Sequence, residues 1–181
     1  MNLPNKITIF RICLIPVFLI VLLGPFFGPN TSRTIATIIF IIASATDALD
    51  GHIARSRNLI TNFGKFMDPL ADKLLVSSAL IAMVELNDLS SWVVILIISR
   101  EFIITAFRTI AADKKIVIAA SNWGKVKTTT QMIMIVVILA NLKAYFAPFE
   151  IIGTILIILS IIFTLISAID YILKNIDVLK G

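Results

Sequence analysis

The chain has 181 residues, of which 59% are hydrophobic and only 15% charged, and it carries a formal net charge of +5; its mean hydropathy is +1.01. A water-soluble domain of this size could not cover so much apolar surface with so little charge, so that class is excluded. The basic balance reads as contact with anionic lipid headgroups and not nucleic acid, for which no motif is present.

Apolar runs long enough to cross a bilayer, which takes about 20 residues per helix, fall at about 7–27, 34–55, 66–86, 91–112, 125–145 and 149–173. The expected fold is all-α: a polytopic membrane protein with six transmembrane helices, forming one domain over residues 1–181. A short amphipathic juxtamembrane helix, Leu3-Pro4-Asn5-Lys6-Ile7-Thr8, is expected ahead of the first span. That first run could pass for a signal peptide, but it is long and no small-residue cleavage site follows, so it reads as a retained helix. The one cysteine, Cys13, lies inside it and can form no internal disulfide.

Charge placement gives an orientation. With the N-terminus cytoplasmic, the inner segments hold Lys6, Arg11, Arg55, Arg57, Lys65, Lys73, Arg108, Lys114, Lys115, Lys125, Lys127, Lys174 and Lys180, and the outer loops hold only Arg33 and Lys143. The positive-inside rule then puts both termini in the cytoplasm of a multi-pass cytoplasmic-membrane protein.

The second run ends Thr46-Asp47-Ala48-Leu49-Asp50-Gly51-His52-Ile53-Ala54-Arg55. At about 100° per residue, Asp50, Gly51 and Ala54 all lie within about 60° of Asp47. Two carboxylates and two very small side chains share one face, a cation site with room above it. The third run repeats the pattern with Gly64, Asp68, Ala71 and Asp72. Both acid pairs fall near the cytoplasmic ends of consecutive helices, at matched depth. Four clustered acids repel one another unless protonated or neutralised by cations, and oxygen-only ligands favour hard ions such as Mg²⁺ or Mn²⁺. Salt bridges to Arg55, Arg57 or Lys65 would account for one such acid more readily than for four. An EF-hand is excluded, because Ala48 and Leu49 interrupt the alternate oxygen ligands it needs. A cation transporter would also place acids in membrane helices, but with broken helices and acids near the midplane.

The string Asp47-x-x-Asp50-Gly51-x-x-Ala54-Arg55, then eight residues, then Gly64-x-x-x-Asp68-x-x-x-Asp72 resembles, letter for letter, the signature of the CDP-alcohol phosphatidyltransferase family. The resemblance implies that Asp47, Asp50 and Asp68 hold two divalent metals, with Asp72 as catalytic base and a further metal contact. It also implies that Gly51, Ala54, Arg55 and Gly64 line the CDP pocket. The chemistry suits the residues: paired cations offset the pyrophosphate charge and a carboxylate takes the alcohol proton. Gly51 and Ala54 leave room for the nucleotide, and Arg55 can contact phosphate. Asn5 and Thr8 could reach the nucleotide from the N-terminal segment, or could cap its helix.

The acceptor is a separate question. Leu3-Pro4-Asn5-x-x-Thr8-x-x-Arg11, the block Ser99-Arg100-Glu101-Phe102 with Arg108, and Trp123-Gly124-Lys125-x-Lys127-Thr128-x-x-Gln131 are similar to the bacterial branch of the family whose acceptor is glycerol 3-phosphate. That similarity covers nearly the whole chain and implies CDP-diacylglycerol and glycerol 3-phosphate as substrates, phosphatidylglycerophosphate as product, and a homodimer. Sister enzymes with the same signature use inositol phosphate, serine or another acceptor. An anionic acceptor needs cations, and Arg108, Lys125, Lys127 and Arg100 are the candidates. Arg108 could instead pair with Glu101, which shares its helix face, and Arg100 could serve a neighbouring acid. His52, Trp92 and Trp123 read as interface residues, and the Ile-rich face of the last helix as lipid-facing.

Overall fold

The computed structural model describes residues 2–56, 61–113, 121–144 and 146–175, with side chains at all of these except positions 3, 48–56, 62, 63, 65, 66 and 113. The described residues are all-helical: α1 (Leu3–Leu23), α2 (Pro29–Ser56), α3 (Asn62–Glu85), α4 (Ser91–Asp113), α5 (Asn122–Leu139), a 3₁₀ turn (Leu142–Ala144) and α6 (Pro148–Asn175).

The helix ends follow local chemistry. Asn2 caps α1 by accepting the Asn5 amide at 3.2 Å, and Pro4 sits in the first turn, where its missing N–H leaves no bond unmade. The expected separate juxtamembrane helix is therefore the opening of α1 itself, continuous with the first apolar run. Pro16 lies inside α1 without ending it, and the Gly24 amide closes the helix on the Ile20 carbonyl at 2.9 Å. The second helix begins at Pro29, ahead of the expected position 34, because the fixed φ of proline suits a first helical residue. The fifth ends at Leu139, short of the expected 145. Asn141 takes a φ of 50°, a left-handed conformation that stops a helix and that asparagine tolerates.

The chain forms two compact units, Met1–Asp88 with Leu139–Asn141, and Leu89–Ile138 with Leu142–Gly181. In the first, α1 packs on both α2 and α3, which also touch one another. The buried rings of Phe18 and Phe40 meet with centroids 6.1 Å apart. Ala36, Ala43, Ala71 and Ala79 are buried as well, small residues that let helices approach closely. At the start of α2, Arg33 is ion-paired to Asp88 at 2.6 Å, their side chains 13% and 4% exposed.

In the second unit α4 packs on α6, with Ile104, Phe107 and Tyr171 forming a buried cluster. Trp123 of α5 stacks on Phe163 of α6 at a centroid distance of 6.3 Å. Asp170 is ion-paired to Lys174 one turn further along α6.

The last helix is inside-out by the standard of a soluble protein. It buries Gly153, Ser160, Thr164, Ser167 and Tyr171 and exposes Ile151, Ile155, Ile158, Ile162, Leu165 and Ile169. In water the apolar stripe would face inward. Small and hydroxyl residues inward with isoleucine outward is the arrangement of a helix packed in lipid. Two described segments, Pro4–Leu23 and Pro148–Asn175, are long and apolar enough to cross a membrane by length and composition. The apolar helices are those of a membrane protein.

Candidate active site

The acid-bearing faces belong to the first unit. Asp47 lies on α2, and the backbone of Asp50, Gly51, Ala54 and Arg55 continues that helix to Ser56; the side chains of those four lie outside the described residues. Gly64, Asp68 and Asp72 follow along α3, whose N-terminus is capped by Thr61.

Side chains from α1 meet both helices. Thr8, fully buried, places its hydroxyl 2.7 Å from Oδ1 of Asp68. Arg11, also fully buried, forms an ion pair through Nη1 with Oδ1 of Asp47. Thr8 and Arg11 are three residues apart, about 4.5 Å along a helix. Partners that close on α1 bring an acid of α2 and an acid of α3 to the same helix turn. Asp72 lies one turn beyond Asp68, half-buried beside the fully buried Ala71.

A second feature forms around Gly64. The Thr61 hydroxyl donates to Oδ1 of Asn5 at 2.8 Å and accepts the Gly64 amide at 3.0 Å. A Cβ at Gly64 would come within 3.3 Å of Thr61 Oγ1 and 3.4 Å of both Asn5 Oδ1 and Asp68 Oδ2. Three oxygens of different residues thus ring a position kept free of a side chain.

Of the residues singled out from sequence, the structure brings Asp47, Gly64 and Asp68 against one face of α1, through separate contacts that start from Arg11, Asn5 and Thr8. Capping, the alternative reading for Asn5 and Thr8, falls to Asn2. Sequence reasoning missed the reach of Arg11 to Asp47 and the part of Thr61. The available signal was the spacing of Asn5, Thr8 and Arg11, three polar residues at every third position of one helix face.

The candidate acceptor cations belong to the second unit. Glu101 is ion-paired to Arg100 at 3.0 Å and to Lys127, which is 1% exposed. Arg108 is exposed and holds its guanidinium 5.7 Å from the centroid of the Tyr171 ring, a cation–π contact. The Arg108–Glu101 pair considered from helix spacing is thus not the contact that Arg108 makes. Lys125 is exposed in the first turn of α5.

Among the described side chains, to which Asp50 does not belong, no three of acid, histidine or cysteine converge as a ready-made cage. The donor set nonetheless fits a hard divalent cation. Its described members are carboxylates alone, the one cysteine lies elsewhere on α1, and Asp47 keeps 40% of its side-chain surface open while bonded to Arg11.

The sequence matches the CDP-alcohol phosphatidyltransferase family model over residues 1–166, and the chain belongs to that family. Among curated relatives, it is 45% identical to a CDP-diacylglycerol–glycerol-3-phosphate 3-phosphatidyltransferase of Bacillus subtilis, with 99% of this chain and 97% of the relative covered. Proteins of the same name from Haemophilus influenzae and Rickettsia felis are 42% and 35% identical, each over 94% of this chain and at least 91% of the relative. Enzymes of this family use a divalent metal.

Proposed function

We propose that this protein transfers the phosphatidyl group of CDP-diacylglycerol to glycerol 3-phosphate, giving phosphatidylglycerophosphate and CMP. The observation that carries the reading is the meeting of Asp47 and Asp68, from two helices, on one turn of α1. That convergence is what a shared metal centre requires of the family signature, and the near full-length likeness to enzymes of this name supports the acceptor.

Asp47, Asp50, Asp68 and Asp72 would hold two divalent cations, Mg²⁺ or Mn²⁺. Bound there, the cations supply charge neutralisation at the pyrophosphate and orientation of attacking and leaving oxygens. The residues of the chain do the rest. Asp72 takes the proton of the acceptor hydroxyl as its oxygen bonds to the phosphatidyl phosphorus, and the bond from that phosphorus to CMP breaks. Gly51, Ala54, Arg55 and Gly64 would form the CDP pocket: the ring of oxygens around Gly64 offers acceptors to nucleotide donors, Asn5 among them, and an arginine at position 55 suits phosphate. Thr8 is a further contact at the inner edge. Arg108 and Lys125 bind the acceptor phosphate, with Lys127 and Arg100 in support from their pairs with Glu101.

The whole chain acts as one domain spanning the membrane six times, with both termini and the active site cytoplasmic, embedded in membrane lipid as a homodimer. The inverted polarity of α6 supports the membrane setting and the distribution of Lys and Arg the orientation, and the homodimer rests on the family resemblance.

The test is product analysis. Purified protein with CDP-diacylglycerol and Mg²⁺ or Mn²⁺ is offered glycerol 3-phosphate, inositol phosphate and serine, and the lipid product is read by mass spectrometry. Phosphatidylglycerophosphate as the main product supports the assignment. Preference for either other acceptor leaves the family reaction standing and removes this acceptor.

A further inference from the structure

Asn5, Thr8 and Arg11 recur every third residue on α1, which puts them within an arc of about 120° on one face. All three are buried. A buried polar stripe on an apolar helix is costly unless each member has a partner. Each has one: Thr61, Asp68 and Asp47 respectively.

We infer that α1 is the positioning helix of the metal centre. Thr8 and Arg11 each hold one carboxylate oxygen, of Asp68 and of Asp47, and so fix how the remaining lone pairs face a cation. The inference rests on the metal reading of the four acids proposed above. An ionised carboxylate has two oxygens and about four lone-pair sites, so one bond from α1 leaves room for a metal. Groups that orient ligating side chains typically change metal affinity about 10–100-fold when removed.

The two contacts differ in kind. Thr8 has a single proton and two acceptors in reach, Oδ1 of Asp68 at 2.7 Å and the Pro4 carbonyl at 3.1 Å. The shorter bond, to the carboxylate, is the stronger one. It aligns Asp68 without adding charge. Arg11 adds a positive charge, so it orients Asp47 while repelling a nearby cation. A neutral substitution at Arg11 would mix two effects of opposite sign. Arg11→Lys keeps the charge and loses the planar guanidinium fork, and so reads orientation without the change of charge.

The experiment measures Mn²⁺ binding to the purified full chain in detergent, without substrate, from the electron paramagnetic resonance signal of free Mn²⁺. Asp68→Asn serves as the ligand-loss control. Wild type and Thr8→Ser are expected to bind alike, while Thr8→Val and Arg11→Lys each weaken binding about 10–100-fold. Thermal unfolding in chelator identifies any variant that fails to fold, and the other then decides. Wild-type Mn²⁺ affinity in both Thr8→Val and Arg11→Lys overturns the inference. If wild type itself takes up no Mn²⁺, the metal reading fails first and the positioning role with it.

Discussion

Arg11 and Asp47, 36 residues apart in sequence, form an ion pair in which the arginine side chain has no exposed surface and the aspartate keeps 40% of its own. A buried guanidinium depends on its anionic partners, whereas a half-open carboxylate can serve a second cation. Asp47 therefore contributes to folding apart from its proposed role in the metal site. Breaking a buried pair typically costs about 3–5 kcal/mol, and the open side of Asp47 and the further interactions of Arg11 reduce that here. Asp47→Asn is expected to lower stability in chelator by about 1–3 kcal/mol, or several degrees of Tm at about 2–4 °C per kcal/mol for a chain of this size. Thermal unfolding of the metal-free protein checks it, and an unchanged Tm would mean that the pair contributes nothing to the fold.

Gly64→Ala separates space from stability. Alanine is the better helix former by up to about 1 kcal/mol, which offsets the small shift its methyl group asks of the Thr61 cap, so the variant should fold about as well as wild type. Its methyl group would crowd Thr61, Asn5 and Asp68 at 3.3–3.4 Å. The expected result is a nearly unchanged Tm with a KM for CDP-diacylglycerol raised roughly tenfold, on the order of 1.4 kcal/mol. Normal substrate kinetics would show that the ring of oxygens around Gly64 is not part of the nucleotide pocket.

Asp72→Asn tests the base. The change is nearly isosteric, so CDP-diacylglycerol binding should persist while turnover falls by at least the roughly 10²–10⁴-fold of a lost general base. Binding is read by equilibrium titration and turnover by CMP release. Near-normal turnover would require the proton to go elsewhere.

The acids of the proposed site were legible in the sequence. The spacing of Asp47, Asp50, Asp68 and Asp72 put the acids on two helix faces before any coordinates, because helical periodicity alone decides which residues share a face. The pairing of Arg11 with Asp47 and of Thr8 with Asp68 was not legible, since those contacts span 36 and 60 residues and depend on how α1 packs. Asn141 ended α5 early for a related reason: its left-handed φ is a local choice that hydropathy does not register. In the second unit, Glu101 pairs with Arg100 and Lys127, while Arg108 and Lys125, the two that helix-end position already favoured, are exposed.

That division gives the acceptor prediction. Arg108 and Lys125 are exposed, and losing a charged hydrogen bond to a bound anion typically costs about 1.5–3 kcal/mol, roughly ten- to a hundredfold in affinity. Arg108→Ala and Lys125→Ala should raise KM for glycerol 3-phosphate and leave KM for CDP-diacylglycerol little changed. Lys127→Ala should also lower Tm, because it strips a buried partner from Glu101. Wild-type acceptor kinetics in both exposed-cation variants would remove them from the acceptor site.

The most direct measurement of the central claim is acceptor-dependent CMP release from CDP-diacylglycerol by purified protein stripped of metal with a chelator. No release is expected in chelator, full release once Mg²⁺ or Mn²⁺ is restored together with glycerol 3-phosphate, and little when either is withheld. Full turnover in excess chelator, or CMP release indifferent to glycerol 3-phosphate, would contradict metal-assisted phosphatidyl transfer to this acceptor.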